Sequence, residues 1–116
     1  AVLVRDRYQR DAVVNGLAQH GIEVRAVDRE AAGRGRPVVM TMHRAKGLEF
    51  RKVLLFDVSK NAIPRPLRDQ QYSDADRDDA LLRERSLLYV AATRARDQLA
   101  ISWSGEASPL ITALAP

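Results

Sequence analysis

Two short apolar runs, Val38-Val39-Met40 and Val53-Leu54-Leu55-Phe56, constrain this chain more than any other feature. Neither alternates with polar residues. A strand with one wet face shows apolar and polar side chains in turn. A strand covered on both faces reads as an unbroken apolar run, so these two are expected inside a parallel sheet. Between them, residues 41–50 pack a hydroxyl (Thr41), an imidazole (His43), two cations (Arg44, Lys46), a glycine (Gly47) and a carboxylate (Glu49) into ten positions. Ligands of open α/β sheets gather at strand ends, which makes this segment a candidate site. The plainer reading is a solvated βα connection.

At 116 residues the chain is expected to be one domain over 1–116, able to bury about two-thirds of its unfolded surface. No apolar run approaches the roughly 20 residues of a membrane span and no signal-peptide pattern is present, so a cytoplasmic protein without membrane contact is expected. The sequence has no cysteine, which excludes disulfides and thiolate metal sites. Its two histidines, His20 and His43, are widely separated, and no protein-bound transition metal is expected.

The net charge of +4 comes mostly from arginine, because Lys46, Lys52 and Lys60 are the only lysines. The guanidinium fork matches phosphate bidentately, so this balance leans toward nucleotides or nucleic acid. Asp69, Asp74, Asp76, Asp78 and Asp79 crowd one region, leaving the remainder more basic than the total suggests.

Along the chain, Ala1-Val2-Leu3-Val4-Arg5 opens as a strand with no leading polar residues, which points to a segment of something longer. Asp6 offers an N-cap, with Gln9 three residues on. Ala12, Val13, Leu17 and Ala18 then follow at helical spacing until Gly21. Residues 22–27 alternate as an edge strand would. Residues 28–37 have no periodicity and read as a loop, and Asn61-Ala62-Ile63-Pro64-Arg65-Pro66 is too proline-rich for helix or central strand. A long helix is expected from about Asp78, with Ala80, Leu81, Leu87, Leu88, Ala91, Ala92 and Ala95 on one face and Thr93, Arg94 and Arg96 at its far end. The last strand is placed at residues 98–103, and Ser108-Pro109 starts a short helical turn.

Two segments carry a family resemblance. Residues 41–50, of the form TxHxAKGLEF, resemble motif V of UvrD/Rep-type superfamily 1 DNA helicases, and Tyr89-Val90-Ala91-Ala92-Thr93-Arg94-Ala95 resembles motif VI at the right distance. Residues 1–5 are similar to motif IV, and Glu84-Arg85-Ser86 to the run before motif VI, so nearly the whole chain is covered. The resemblance implies the C-terminal RecA-like domain, called 2A. That is a three-layer α/β fold with a mainly parallel sheet of about five strands and helices on both faces.

It further implies roles for single residues. Arg94 would be the arginine finger on the γ-phosphate of ATP, a contribution worth about 10³–10⁵ in rate in nucleotide hydrolases. Arg5 would be a second γ-phosphate contact; otherwise it is a strand-end surface arginine. Glu49 would bond the nucleotide ribose, Gly47 would let backbone approach the nucleotide, and Thr41 and His43 would touch single-stranded DNA. Lys46 has two readings, phosphate contact or ion pair with an acid such as Glu49. Arg96 reads as a cation at a helix C-terminus, and so does His20.

Many members of the family insert a large 2B domain where this chain has only residues 28–37. The phosphate-cradling GxxxxGK[ST] loop and the magnesium-binding acidic strand motif are absent from the sequence. ATP with Mg²⁺ is therefore expected to be held with an N-terminal RecA-like domain of the same protein, and this chain is expected to be inactive alone. The alternative is a non-catalytic RecA-like domain that binds nucleic acid or protein.

Overall fold

The structure is a computed structural model that describes residues 1–27, 37–64 and 73–112. The loop at 28–36 and the proline-rich 65–66 lie outside those residues. Strand β1 (Val2–Val4) leads into helix α1 (Arg7–Gln19), edge strand β2 (Arg25–Ala26), β3 (Val38–Thr41) and β4 (Phe50–Leu55). Helix α2 (Asp74–Ala92), β5 (Ala95–Ile101) and the short α3 (Pro109–Thr112) complete the order. The five strands form one sheet in the order β2-β3-β1-β4-β5, every pair parallel.

The two unbroken apolar runs lie in β3 and at the end of β4, on either side of β1, where Leu3 is in register with both Met40 and Leu55. Side chains two apart share a face. Leu3, Val38, Met40, Val53 and Leu55 therefore form one layer, closed by Leu88 and Ala91 of α2 and by Leu110 of α3. Val4 and Val39 point the other way and are also fully buried. The α1 crossover runs toward β2 and the α2 crossover toward β5. Right-handed connections running in opposite directions along a parallel sheet place their helices on opposite faces, which gives the three layers expected.

Local chemistry sets the ends of α1. The Asp6 carboxylate accepts from the Gln9 backbone N–H at 2.9 Å, as expected of an N-cap, while the Gln9 side chain reaches past the cap to accept from Arg5 N–H at 2.9 Å. At the far end Gly21, at φ +78°, donates to Ala18 and Ile22 donates to Leu17, a Schellman closure.

Helix α2 departs from expectation at both ends. It starts at Asp74, because Ser73 and Asp76 form a reciprocal capping box and Asp74 and Asp76 occupy the first turn. It stops at Ala92, so Ala95 belongs to β5 and not to the helix face. Leu81 is exposed. The stripe that packs inward is Glu84, Leu88 and Ala91, spaced at four and three residues, with a carboxylate in place of an apolar side chain. β5 accordingly begins three residues before the expected strand.

Candidate functional site

The connection after β3 is built as tight turns. Met42 donates its backbone N–H to Val4 at 2.7 Å, tying the loop to β1, and Arg44, Ala45 and Leu48 donate back to Thr41, Met42 and Ala45. Three-residue spacing turns Met42 and Ala45 into the core and leaves His43 and Lys46 on the outside. Thr41 is buried at the strand end, so of the two residues assigned to DNA only His43 has an exposed side chain.

An open groove of about 690 Å³ runs between this loop and α2. Arg5, His43 and Lys46 line one side, and Arg83, Leu87 and Val90 line the other. Lys46 makes no ion pair with Glu49 among the described residues and lines this groove. Arg5 enters it already engaged. Its Nε is shared between the two Glu84 carboxylate oxygens at 3.2 and 3.1 Å, and its Nη2 donates to Oε1 at 3.0 Å. Arg5 is thus not a loose surface arginine at a strand end.

A polar chain continues behind it. Gln9 Nε2 donates to Asp57 Oδ2 at 2.9 Å, the Ser59 hydroxyl donates to Asp57 Oδ1, and Ser102 Oγ accepts from Asp57 N–H at 3.2 Å. Asp57 has φ +58°, a left-handed conformation uncommon outside glycine, and these three contacts hold it there.

Arg94 has a different seat. Its Nε donates to the Val90 carbonyl at 3.0 Å, Nη1 to the Leu48 carbonyl at 3.2 Å, and Nη2 to the Thr93 hydroxyl at 3.2 Å. Its own carbonyl accepts from Phe50 N–H at 2.8 Å. Arg94 is therefore bonded to the residues immediately before and after Glu49, which is itself exposed. Gly47, at φ +84°, begins this stretch, and a Cβ there would meet nothing within 4 Å. Here the glycine answers to backbone conformation rather than to crowding. Arg94, Glu49 and Gly47 come together; Arg5, His43 and Lys46 form a second group, and α2 joins the two through Glu84 and Val90.

Arg96 does not sit at a helix C-terminus. It lies in β5 and pairs with its neighbour Asp97 at 3.2 Å. The hydrogen bond from Arg96, with the Arg96 and Arg51 charges nearby, holds the Asp97 carboxyl below the usual aspartate range. Both side chains are exposed, so the pair contributes little to stability. His20 is the C-cap of α1, as expected of a histidine beside Gly21.

Glu84 is the residue that reading the sequence for chemistry passes over. A charge in a helix is ordinarily assigned to solvent, but its spacing to Leu88 and Ala91 already placed it on the inward stripe. Gln9 and Asp57 give no such signal, since their meeting depends on the sheet order.

Among the described residues no helix is long and apolar enough to cross a membrane, and no three His, Asp or Glu side chains converge as metal ligands. The chain aligns with YjcD of Bacillus subtilis (strain 168), provisionally named an ATP-dependent DNA helicase, at 36% identity over 83 residues, 72% of this chain and 11% of that protein. The ATP-dependent DNA helicase UvrD2 of Mycobacterium tuberculosis H37Rv matches at 36% over 86 residues, 70% of this chain and 12% of UvrD2. The chain thus spans about a tenth of the length of these relatives. Its fold is shared with the crystal structure of the C-terminal domain of a possible DNA helicase from Lactobacillus plantarum WCFS1, at a TM-score of 0.70 and 24% identity over 95% of this chain and 58% of that one. A sequence profile for the UvrD-like helicase C-terminal domain matches residues 35–106, and the chain belongs to that family.

Proposed function

We propose that this chain is the C-terminal motor domain of an ATP-dependent DNA helicase or translocase and completes an ATP site shared with an N-terminal RecA-like domain. The observation that carries this reading is the seat of Arg94. A guanidinium bonded to Leu48, and linked through its own backbone to Phe50, stands beside the exposed Glu49. A cation and a ribose-bonding carboxylate are thereby offered from one surface. Arg94 serves as the finger that meets the charge developing on the transferring phosphoryl group, Glu49 bonds the ribose, and Gly47 shapes the loop under the nucleotide. Arg5 supplies a second contact to the γ-phosphate. His43, with Thr41 at the strand end below it, holds single-stranded DNA.

Mg²⁺ is assigned to the other domain, because the acidic strand motif that binds it is absent from this sequence, and no step here depends on it. The residues act by position: Arg94 and Glu49 orient the nucleotide from one side while His43 and Lys46 face the strand. Closure of the two domains on ATP and release after hydrolysis then alternate the grip on DNA. Steady-state ATP hydrolysis by a protein carrying both domains, with and without single-stranded DNA, tests the reading. Turnover that is indifferent to DNA and to Arg94→Ala overturns it.

A further inference from the structure

We propose that Glu84 is a positioning residue that aims the Arg5 guanidinium at the phosphate-binding groove, an inference that rests on the reading of Arg5 as a phosphate contact. Glu84 sits on the inward stripe of α2 beside Leu88 and Ala91 and is 8% exposed. A carboxylate taken out of water is strongly destabilising unless it is paired, and a buried pair is often no more stabilising than apolar residues of the same volume. An apolar side chain would close this stripe as well. The charge is therefore explained by what it does to Arg5 rather than by stability.

The contact geometry states what that is. Arginine has five N–H groups, one on Nε and two on each Nη. Glu84 takes the guanidinium from the side, through Nε and Nη2. This leaves the two hydrogens of Nη1 and the second of Nη2, the end-on fork that receives a phosphate bidentately. The other end of the residue is pinned as well, since Arg5 N–H donates to Gln9, whose amide donates in turn to Asp57. A side chain that normally has many rotamers open to it is thus ordered before any ligand arrives. The groove keeps its attraction for phosphate, because Arg5, Lys46 and Arg83 outnumber Glu84 three to one.

The test is steady-state ATP hydrolysis by the two-domain protein carrying Glu84→Gln, Glu84→Asp, Arg5→Ala, Arg94→Ala or the pair Arg5→Ala/Glu84→Gln, each with a melting temperature. Glu84→Asp keeps the charge but withdraws the carboxylate by one methylene, so it reports on aim even if Glu84→Gln folds poorly. Both Glu84 variants are expected to lower kcat about 10- to 100-fold, the range found when a residue that orients a site side chain is lost, with KM for ATP changing about twofold or less. The paired variant is expected to match Arg5→Ala alone, because a residue that acts through Arg5 has nothing left to orient. A lower melting temperature with kcat unchanged in both Glu84 variants, or losses in the paired variant that multiply, overturns the positioning role. Higher turnover in Glu84→Gln overturns it too, by making Glu84 a competitor of phosphate. If Arg5→Ala and Arg94→Ala are both silent, the functional reading itself falls. If those two lose turnover and the Glu84 variants do not, only the positioning role falls.

Discussion

Arg94 and Leu48 bind each other's segments: the Arg94 guanidinium donates to the Leu48 carbonyl at 3.2 Å, while two residues further along Phe50 donates to the Arg94 carbonyl. The segment after β3 and the exit of α2 are therefore one unit around Glu49. In a protein carrying both domains, Arg94→Ala is expected to lower kcat about 10³–10⁵-fold with much less change in ATP binding, as for a lost arginine finger. Arg94→Lys should stay well below wild type, since an ammonium lacks the fork that spans Leu48, Val90 and a phosphate at once. Near-normal turnover in either variant would return Arg94 to a structural duty.

This chain alone should show no DNA-stimulated ATP hydrolysis, because its sequence has no GxxxxGK[ST] loop to cradle phosphates. The check is phosphate release by the purified chain beside its Arg94→Ala variant. Turnover that this substitution abolishes would mean the chain holds a whole site.

His43→Ala is expected to weaken binding of single-stranded oligonucleotides and to reduce the stimulation of ATP hydrolysis by DNA. The imidazole lies on the exposed side of the loop, facing the groove with Lys46. Contacts of this kind reach backbone phosphate, so affinity should fall with salt and vary little with base sequence. A salt-titrated affinity series on several oligonucleotides of equal length reads both effects. Unchanged affinity in His43→Ala would remove this residue from the DNA surface.

Gly47→Ala should destabilise the domain by about 1 kcal/mol or somewhat more, the scale of placing a non-glycine residue in the left-handed region. The space around the site is open, so the cost is conformational, and Gly47→Asn should cost less because asparagine tolerates that region. Urea unfolding of the three proteins measures the order. Equal midpoints for Ala and wild type would show that the backbone relaxes.

Leu3→Ala removes a fully buried side chain at the centre of the sheet, between Met40 and Leu55. A loss of about 2–5 kcal/mol is expected, whereas Tyr8→Ala, at 89% exposure, should be near neutral. Denaturant midpoints at constant m-value separate the two.

Much of this fold was readable because its signals are local. Unbroken apolar runs marked β3 and β4, Asp6 and Gly21 marked the ends of α1, and the alternation at 22–27 marked an edge strand, though only Arg25 and Ala26 pair. The start of α2 was misplaced because its capping box uses Asp76, a residue hidden among other aspartates, in place of the usual glutamate or glutamine. Its end was misplaced because Thr93 and Arg94 leave the helix within two residues and pass directly into β5. Within the site, Arg5 and Arg94 were legible as residue types in motifs. Their partners were not, since Glu84 is 79 residues from Arg5 and Leu48 is 46 from Arg94, separations that only the crossovers of the sheet bring to zero.

Glu84, Val90 and the exit that carries Arg94 all hang from α2, which runs without interruption from Asp74 to Ala92. Its hydrogen-bonded turns make it a stiff element. The eight residue steps from Glu84 to Ala92 span about 12 Å at the usual rise. α2 is thus a strut between the wall of the groove and the seat of Arg94. Tilting it by a few degrees at the groove displaces Arg94 in proportion to that length, so neither end can be remodelled in isolation.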